Sequence, residues 1–335
     1  MMPRLLAGPA EPPDGPYDAD IILLALGRAR ETEAAIRSAA SQTGVTSHIF
    51  VLDQGSTDDE LTELAAVARQ HANVTLLSVY ENRGVAGGRN LISAGGHGRV
   101  IVALDNDAEF AGPDTVAQMV AALDAEPSLG AIGCRIVRHD DGADDLSSWG
   151  YPAGLLPRAG EAFDAVTFVG AGHAIRRTAW QQAGGYDAKL FFCWEEFDFC
   201  LRAIALGWRI RYRGDIVIRH KVSSEQRVGW TASRWFYFVR NRLYIERKLG
   251  TPWAALTPRI AGYVLKGLRN GLAAQTARAI LAAAAMSPRA ATARLPRAAT
   301  SYLQRNDKAH RGSLLHRLTH EVLTRPPGAA ASARQ

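Results

Sequence analysis

Residues 100–104 are five uninterrupted apolar side chains that run straight into Asp105-Asn106-Asp107. Such a run, rich in β-branched residues and Leu, has no polar face to show to water. It belongs in a strand covered on both sides, as in a parallel sheet flanked by helices. The two carboxylates then fall where the strand leaves the sheet, the end at which open α/β sheets bind ligands. Two aspartates flanking an amide there are hard oxygen donors suited to a divalent cation such as Mg²⁺ or Mn²⁺. An ordinary acidic turn has the same local sequence, so the rest of the chain must discriminate.

The strand pattern recurs upstream. Residues 20–26 form an apolar strand ending at Gly27 and Arg28, followed by a helix over 31–42 with Ala35, Ile36 and Ala39 at helical spacing. Residues 48–52 form a second strand, ending in Asp53-Gln54-Gly55-Ser56-Thr57-Asp58. Ser56 or Thr57 is placed to cap the next helix, whose positive end favours the acids that follow. A third strand covers 74–79, and the glycine-rich turn 82–90 leads into a short helix. Strands alternating with helices in this way predict a parallel, doubly wound α/β sheet. The glycine-rich stretch lacks the G-x-G-x-x-G spacing and follows the third strand, so it is not a dinucleotide fingerprint. Its glycines would still admit a phosphate or sugar close to the backbone, with Arg83 and Arg89 adding charge. Asp53 either accepts hydrogen bonds from a nucleotide or caps its own turn.

Downstream, the pattern predicts a helix over 113–126, a strand over 129–137, an acidic loop at 140–145, a glycine-bearing strand over 168–175 and a turn at 184–187. If residues 194–202 begin a helix, Glu195, Asp198 and Arg202 share one face, and Asp198 with Arg202 reads as an i,i+4 ion pair. Glu196 points about 100° away from Glu195. Burial among Trp194, Phe197 and Phe199 would raise a carboxyl pKa there, and a helix N-terminus would lower it. Residues 208–213 and 215–219 read as two short strands. His220 ends the second, either satisfied in place or completing a metal site with the aspartates.

The 335 residues suffice for one large domain or two, and 47% apolar content supports a substantial core. Cys134, Cys193 and Cys200 have no metal-type spacing, and their odd number argues for a reducing compartment. The proline-rich residues 1–17 show no signal-peptide or anchor pattern and are expected to be a flexible lead-in. The net charge of +6 conceals an asymmetry: residues 1–201 hold 14 basic and 28 acidic side chains, residues 202–335 hold 25 and 5. A basic final third calls for an anionic partner, and without an aromatic strand-binding platform or zinc-finger spacing nucleic acid is excluded. Leu256, Ile260, Val264, Leu268 and Leu272 share a broad helical face, with Arg259, Lys266, Arg269 and Asn270 opposite. Residues 253–285 would therefore lie on an anionic membrane surface or pack on the α/β part of the chain. No run reaches the length of a spanning helix. Residues 286–300 read as a linker, and 325–335 as a disordered tail.

Taken in order, these segments resemble family 2 glycosyltransferases of the GT-A fold, a Rossmann-like mixed sheet flanked by helices. Asp53 with Gly55-Ser56-Thr57-Asp58, the stretch 82–90, Asp105-Asn106-Asp107, residues 170–173, Gly185-Tyr186-Asp187, Glu195-Glu196-Phe197-Asp198 with Arg202, and His220 carry the likeness. Arg240-Asn241 after an aromatic run is similar to the bacterial polysaccharide, rhamnosyltransferase-like branch. The resemblance implies a catalytic domain over 18–222, a helical region over 223–324, and an inverting transfer from a nucleotide-diphosphate sugar to a saccharide or lipid-linked acceptor. It implies donor contacts from Gly27, Arg28, Asp53, Ser56, Asn82, Gly84, Gly88, Arg89, Asn90, Asp105 and Asn106. It further implies Mg²⁺ or Mn²⁺ on Asp105, Asp107 and His220, an acceptor side formed by Gly172, His173, Trp194 and Glu195, and Glu196 as the base. Departures lie at residues 25–28, where the family commonly has Thr-Tyr-Asn-Arg, at Gln54 in place of Asp or Asn, and at Glu196 in place of Asp. A cytoplasmic protein, peripheral on the inner face of the membrane and with a homo-oligomer among its allowed states, is the expected setting. A sugar-1-phosphate nucleotidyltransferase would want a glycine-rich, basic triphosphate loop after the first strand, which residues 27–30 do not supply. A non-catalytic nucleotide-sugar-binding protein would not need the acids and His220.

Overall fold

The computed structural model describes residues 3–12, 14, 16–221, 232–286, 288 and 294–312. In chain order the first half contains β1 (Arg4–Ala7), β2 (Ala19–Ala25), α1 (Ala29–Ala40), β3 (Ser47–Asp53), α2 (Asp58–Ala68), β4 (Val74–Ser78), α3 (Gly84–Ser93), β5 (Val100–Asp105), β6 (Ala108–Phe110) and α4 (Thr115–Ala125). There follow β7 (Leu129–Arg138), β8 (Ala162–Ala165), β9 (Gly172–Arg176), α5 (Arg177–Ala183), α6 (Glu195–Ala205) and β10 (Arg209–His220). The last part is helical: α7 (Ala232–Lys248), α8 (Trp253–Arg269), α9 (Ala273–Met286) and α10 (Arg297–Asn306).

The apolar run that opened the sequence is β5, at the centre of a sheet ordered β1-β4-β3-β2-β5-β9-β7-β10-β6, with β8 on β10. The strands β4, β3, β2 and β5 are mutually parallel. Their register sets Ala25 opposite Asp53 and Leu24 opposite Asp105, so three strand ends open at one edge. Beyond β5 the sheet is mixed. β9 runs antiparallel between β5 and β7, and β10 runs parallel to β7. Both faces are covered. One core layer joins Ile21, Leu23, Val51 and Val102 to α1, α2 and α4, and the other joins Ile22, Leu52, Ile101 and Ala103 to α3, α5 and α6. Each such side chain contributes roughly 1.5–3 kcal/mol of burial, which is why the parallel strands lack the alternation of half-buried ones.

Four expectations are corrected. Residues 1–17 are not merely a lead-in, since Arg4–Ala7 pairs antiparallel with β4 and covers the sheet's edge. The glycine-rich stretch is not a turn before a helix but the first half of α3 itself. The strand over 168–175 is confined to Gly172–Arg176. The two strands over 208–219 are one, whose pairing with β7 shifts between Arg209 and Ile210 and again between Arg213 and Val217.

The helical region builds its own small core from Trp235, Val239, Leu243, Leu256, Tyr263, Ala279 and Ala283. It joins the sheet domain at several places, two of which are apolar or buried anchors. Tyr244 and Ile245 of α7 pack on Leu190 and Leu201. The Tyr302 hydroxyl of α10 binds both the N–H and the carbonyl of Ile210. Residues 297–300 are therefore the start of α10 rather than linker. In α8 the buried positions are Leu256, Tyr263 and Gly267, while Val264 and Leu268 are exposed together with Leu265, so the expected single apolar face is split. Among the described residues no helix is long and apolar enough to cross a membrane. The expected tail, 325–335, and residues 223–231 and 313–324 of the expected helical region lie outside the described residues.

Candidate active site

The three strand ends continue into turns that lock one another. Thr57 caps α2 and Glu60 reciprocates, the capping box that satisfies two otherwise unpaired N–H groups. Ser56 is thereby freed to accept the Gly27 N–H at 2.9 Å, which ties the β2 turn to the β3 turn. Asp53 is fully buried, and its carboxylate accepts the N–H groups of Gly55 and Ser56, both at 3.1 Å. It shapes the turn from within and does not present itself to a nucleotide, which corrects the expected direct contact. Gln54 reaches across to α3, accepting from Arg83 N–H and donating to the Gly84 carbonyl.

The amides of α3 and β5 are similarly engaged. Asn82 accepts the Gly84 N–H at 2.7 Å. Asn90 takes both the N–H and the carbonyl of Tyr186, each at 2.8 Å, and so mimics a strand neighbour. Asn106 donates to Thr32 of α1. A Cβ on Gly88 would lie 2.9 Å from Leu24 and one on Gly84 only 2.2 Å from the Phe191 carbonyl oxygen. Gly84 admits backbone of the neighbouring turn and Gly88 the Leu24 and Gln54 side chains. Asn82, Asn90 and Asn106, expected on the donor, each also hold part of the chain in place.

Arg89 is the hub. It is 2% exposed and donates to Asp105 at 2.8 Å, to the Gly170 carbonyl at 2.8 Å and to Glu196 at 3.1 Å. Burial opposes its charge, but Asp105 and Glu196 more than offset that. Glu196 comes this close because residue 170 is glycine: a Cβ there would sit 2.6 Å from Oε1. Burial raises the Glu196 carboxyl above the usual range, with Arg89 opposing. Its neighbour Glu195 is 3% exposed, and Oε2 has no hydrogen-bond partner among the described residues. Burial first, then the Glu196 charge, push the Glu195 carboxyl well above the usual range.

The second cluster is Asp107, His220 and Arg28. His220 Nε2 lies 3.3 Å from Asp107, and Nδ1 lies 3.0 Å from Asp145. Arg28, left-handed at φ 58°, reaches the other Asp107 oxygen at 2.5 Å. The Lys221 N–H to the Asp107 carbonyl joins the end of β10 to this turn. Burial disfavours both charges, but the contacts prevail: His220 and Arg28 hold Asp107 below the usual carboxylate range, and His220 is pushed up to about 10.

Among the described residues no three His, Cys, Asp or Glu side chains are placed to hold a metal ion. The expected trio is reduced to Asp107 and His220, because Asp105 is engaged by Arg89. That pair would suit a divalent ion once His220 gives up its Nε2 proton, as a carboxylate and an imidazole whose far nitrogen is held by Asp145.

The expected acceptor side is largely interior. His173 is 1% exposed, stacks on Phe168 and bonds Val169 and Tyr186; Gly172 is packed under Ile218. Trp194 is half-buried and donates its indole N–H to the Phe238 carbonyl of α7. It ends a turn in which Phe191, Cys193 and Trp194 have φ of 62°, 70° and 72°. Side chains rarely adopt that region, and each instance costs about 1–3 kcal/mol. From the sequence, Asp145, Gly170 and Asn241 were legible only as parts of a loop, a glycine-bearing strand and a family-like pair, and none of them had a place in the site. Asp145 followed by two serines marks a capped turn, but nothing local points to His220, 75 residues away.

Residues 20–183 match the family described as glycosyl transferase family 2. The succinoglycan biosynthesis protein ExoU of Rhizobium meliloti (strain 1021) is 28% identical over 207 residues, covering 58% of this chain and 59% of ExoU. ExoO of the same organism is 33% identical over 108 residues, covering 32% and 30%. The chain thus spans less than two thirds of either curated relative. Among solved structures, the mannosyltransferase PcManGT from Pyrobaculum calidifontis, in complex with GDP-Man and Mn²⁺, aligns with a TM-score of 0.56 at 21% identity, over 94% of this chain and 87% of that one. GalNAc-T7 with UDP, GalNAc and Mn²⁺ aligns at 0.59 and 15%, over 75% and 52%. At such identities the likeness is one of fold, and the fold is GT-A.

Proposed function

The domain over residues 20–183 belongs to glycosyl transferase family 2, and from that premise we propose an inverting, metal-dependent transfer of a sugar from a nucleotide diphosphate to an acceptor hydroxyl, in polysaccharide biosynthesis. The observation that carries this reading is the run of ion pairs from Glu196 through Arg89 to Asp105, two residues from Asp107, which Arg28 and His220 hold. Gly27, Arg28 and Ser56 line the donor side, and Asp105 serves the ribose side. Asp107 and His220 would hold Mg²⁺ or Mn²⁺, which when bound neutralises the diphosphate as a Lewis acid. Glu196 takes the acceptor proton as the acceptor oxygen bonds to the anomeric carbon. The bond from that carbon to the phosphate oxygen breaks on the opposite side, so a single displacement inverts the centre. The burial that raises the Glu195 carboxyl disfavours a second charge beside the base.

The decisive experiment is a thermal-shift and calorimetric screen of nucleotide diphosphates and their sugars with and without Mn²⁺, on the native chain and on Asp107→Ala. A ligand that binds only the folded state raises its melting point. One nucleotide diphosphate should do so in a Mn²⁺-dependent way that Asp107→Ala abolishes. Binding of none, or equal binding in excess chelator, would refute the donor and metal assignments.

The acceptor is a saccharide or lipid-linked saccharide, reached from the inner membrane face. Exposed Val264, Leu265 and Leu268 on the basic helix α8 support peripheral contact with anionic lipid. Sedimentation with anionic vesicles should decline from low to high salt, and absence of binding at low salt would end this part.

A further inference from the structure

The turn that delivers the acids is held from outside the matched family region. Phe191, Cys193 and Trp194 are non-glycine residues in the left-handed region, immediately before α6 begins at Glu195. Locally the turn is closed by the Phe191 N–H to the Ala188 carbonyl and the Phe192 N–H to the Leu190 carbonyl. Further bonds to its carbonyls come from α7. Asn241 is fully buried, and its Nδ2 lies 2.8 Å from each of the Leu190, Phe192 and Cys193 carbonyl oxygens. Arg240 donates to the Lys189 and Leu190 carbonyls. The Trp194 indole is pinned to Phe238 and covered by the Arg242 guanidinium, 5.1 Å from its ring centre. On its other side the turn meets α3, where the Ala86 N–H donates to the Phe191 carbonyl.

We propose that Asn241 is a positioning residue: by binding three carbonyls of the strained 190–193 turn, it sets the first turn of α6 so that the Glu196 carboxylate stands against Arg89 over the crevice. This rests on Glu196 being the base. A buried amide with its donors spent on one irregular turn, far from the donor-side asparagines, does a different task from theirs. Donor recognition belongs to the turns after β2 and β3 and to α3, which fold around their own glycines and asparagines. The placement of the base belongs to α7.

The test is a split between binding and chemistry in the full chain. Asn241→Asp keeps the shape but replaces the donor with a group that repels carbonyls. It is expected to lower kcat about 100-fold, the scale on which a displacement near 1 Å acts, while nucleotide-diphosphate affinity changes less than about fivefold. Amides of residues 191–198 should exchange hydrogen faster, with those of α2 unchanged. Trp194→Phe, which loses the indole N–H bond and one ring's worth of packing but keeps an aromatic face, gives a milder version of the same split and serves if Asn241→Asp does not fold. Glu196→Gln in the same assay separates the two claims. If it retains transfer, the base is misassigned. If it abolishes transfer while folded Asn241→Asp or Trp194→Phe keeps kcat within twofold, the positioning role is wrong. Equal losses of affinity and kcat in the variants would likewise overturn it.

Discussion

The donor turns and the acid turn solve the same problem, an irregular backbone at the mouth of a sheet, in opposite ways. On the donor side, left-handed positions at 27, 55 and 84 are glycine, and short polar side chains satisfy the backbone locally. Arg28 is the exception, and its side chain is held by Asp107. On the acid side the left-handed residues are Phe191, Cys193 and Trp194, and the bonds that hold them come from a helix about 50 residues later. A turn built on glycine is encoded where it stands. A strained turn is encoded elsewhere, and its geometry can be lost without touching the motif that uses it.

Three predictions bear on this contrast. The largest effect is expected at the acid pair. Glu196→Gln should lower kcat by roughly 10³-fold, within the range of general-base catalysis, with donor affinity retained. Glu195→Gln, which keeps the size and removes the charge, should cost less than about tenfold. In the wild type, kcat should rise with pH through a value above the usual glutamate range, since burial raises Glu196 and only its ionised form accepts a proton. A reversal of the two glutamines in steady-state kinetics would move the base to Glu195. Next, Arg89→Met leaves Asp105 and Glu196 facing each other unpaired. Urea unfolding should show a loss of about 3 kcal/mol, the low end for breaking a buried pair because Asp105 is partly exposed. A loss under about 1 kcal/mol would mean that the hub holds neither side. Smallest is the glycine comparison. Gly142, at φ 70° with open space around it, should lose only about 1 kcal/mol on conversion to Ala. Gly84→Ala has the same φ penalty plus a collision with the Phe191 carbonyl, and should cost about 2–3 kcal/mol. Equal costs would show that α3 and the acid turn do not press on each other.

What the sequence made legible follows the same division. The buried strand and its two aspartates, the helix cap after Asp53, and the parallel half of the sheet are written in local periodicity and turn chemistry, and all stand in the structure. Strand β1 was missed because Leu5-Leu6-Ala7 is too short to declare itself among prolines, and only β4 makes it a strand. Gln54 and Asn90 sit in visible motifs, yet their partners, Gly84 and Tyr186, are fixed only by the fold. His173 carries a catalytic-looking side chain that folding turns inward onto Tyr186. The link from Asp145 to His220 spans 75 residues, and no spacing rule reaches across it.

The short strand at the start of the chain also matters for anyone preparing shortened versions of this protein. Arg4–Ala7 occupies the outer side of β4, and Thr75 of that strand is further tied to the Pro9 carbonyl. Trimming the first ten residues as a dispensable leader would bare a row of unpaired backbone groups along β4. Such an edge recruits strands from other molecules, so the trimmed protein is expected to self-associate while its catalytic residues remain in place.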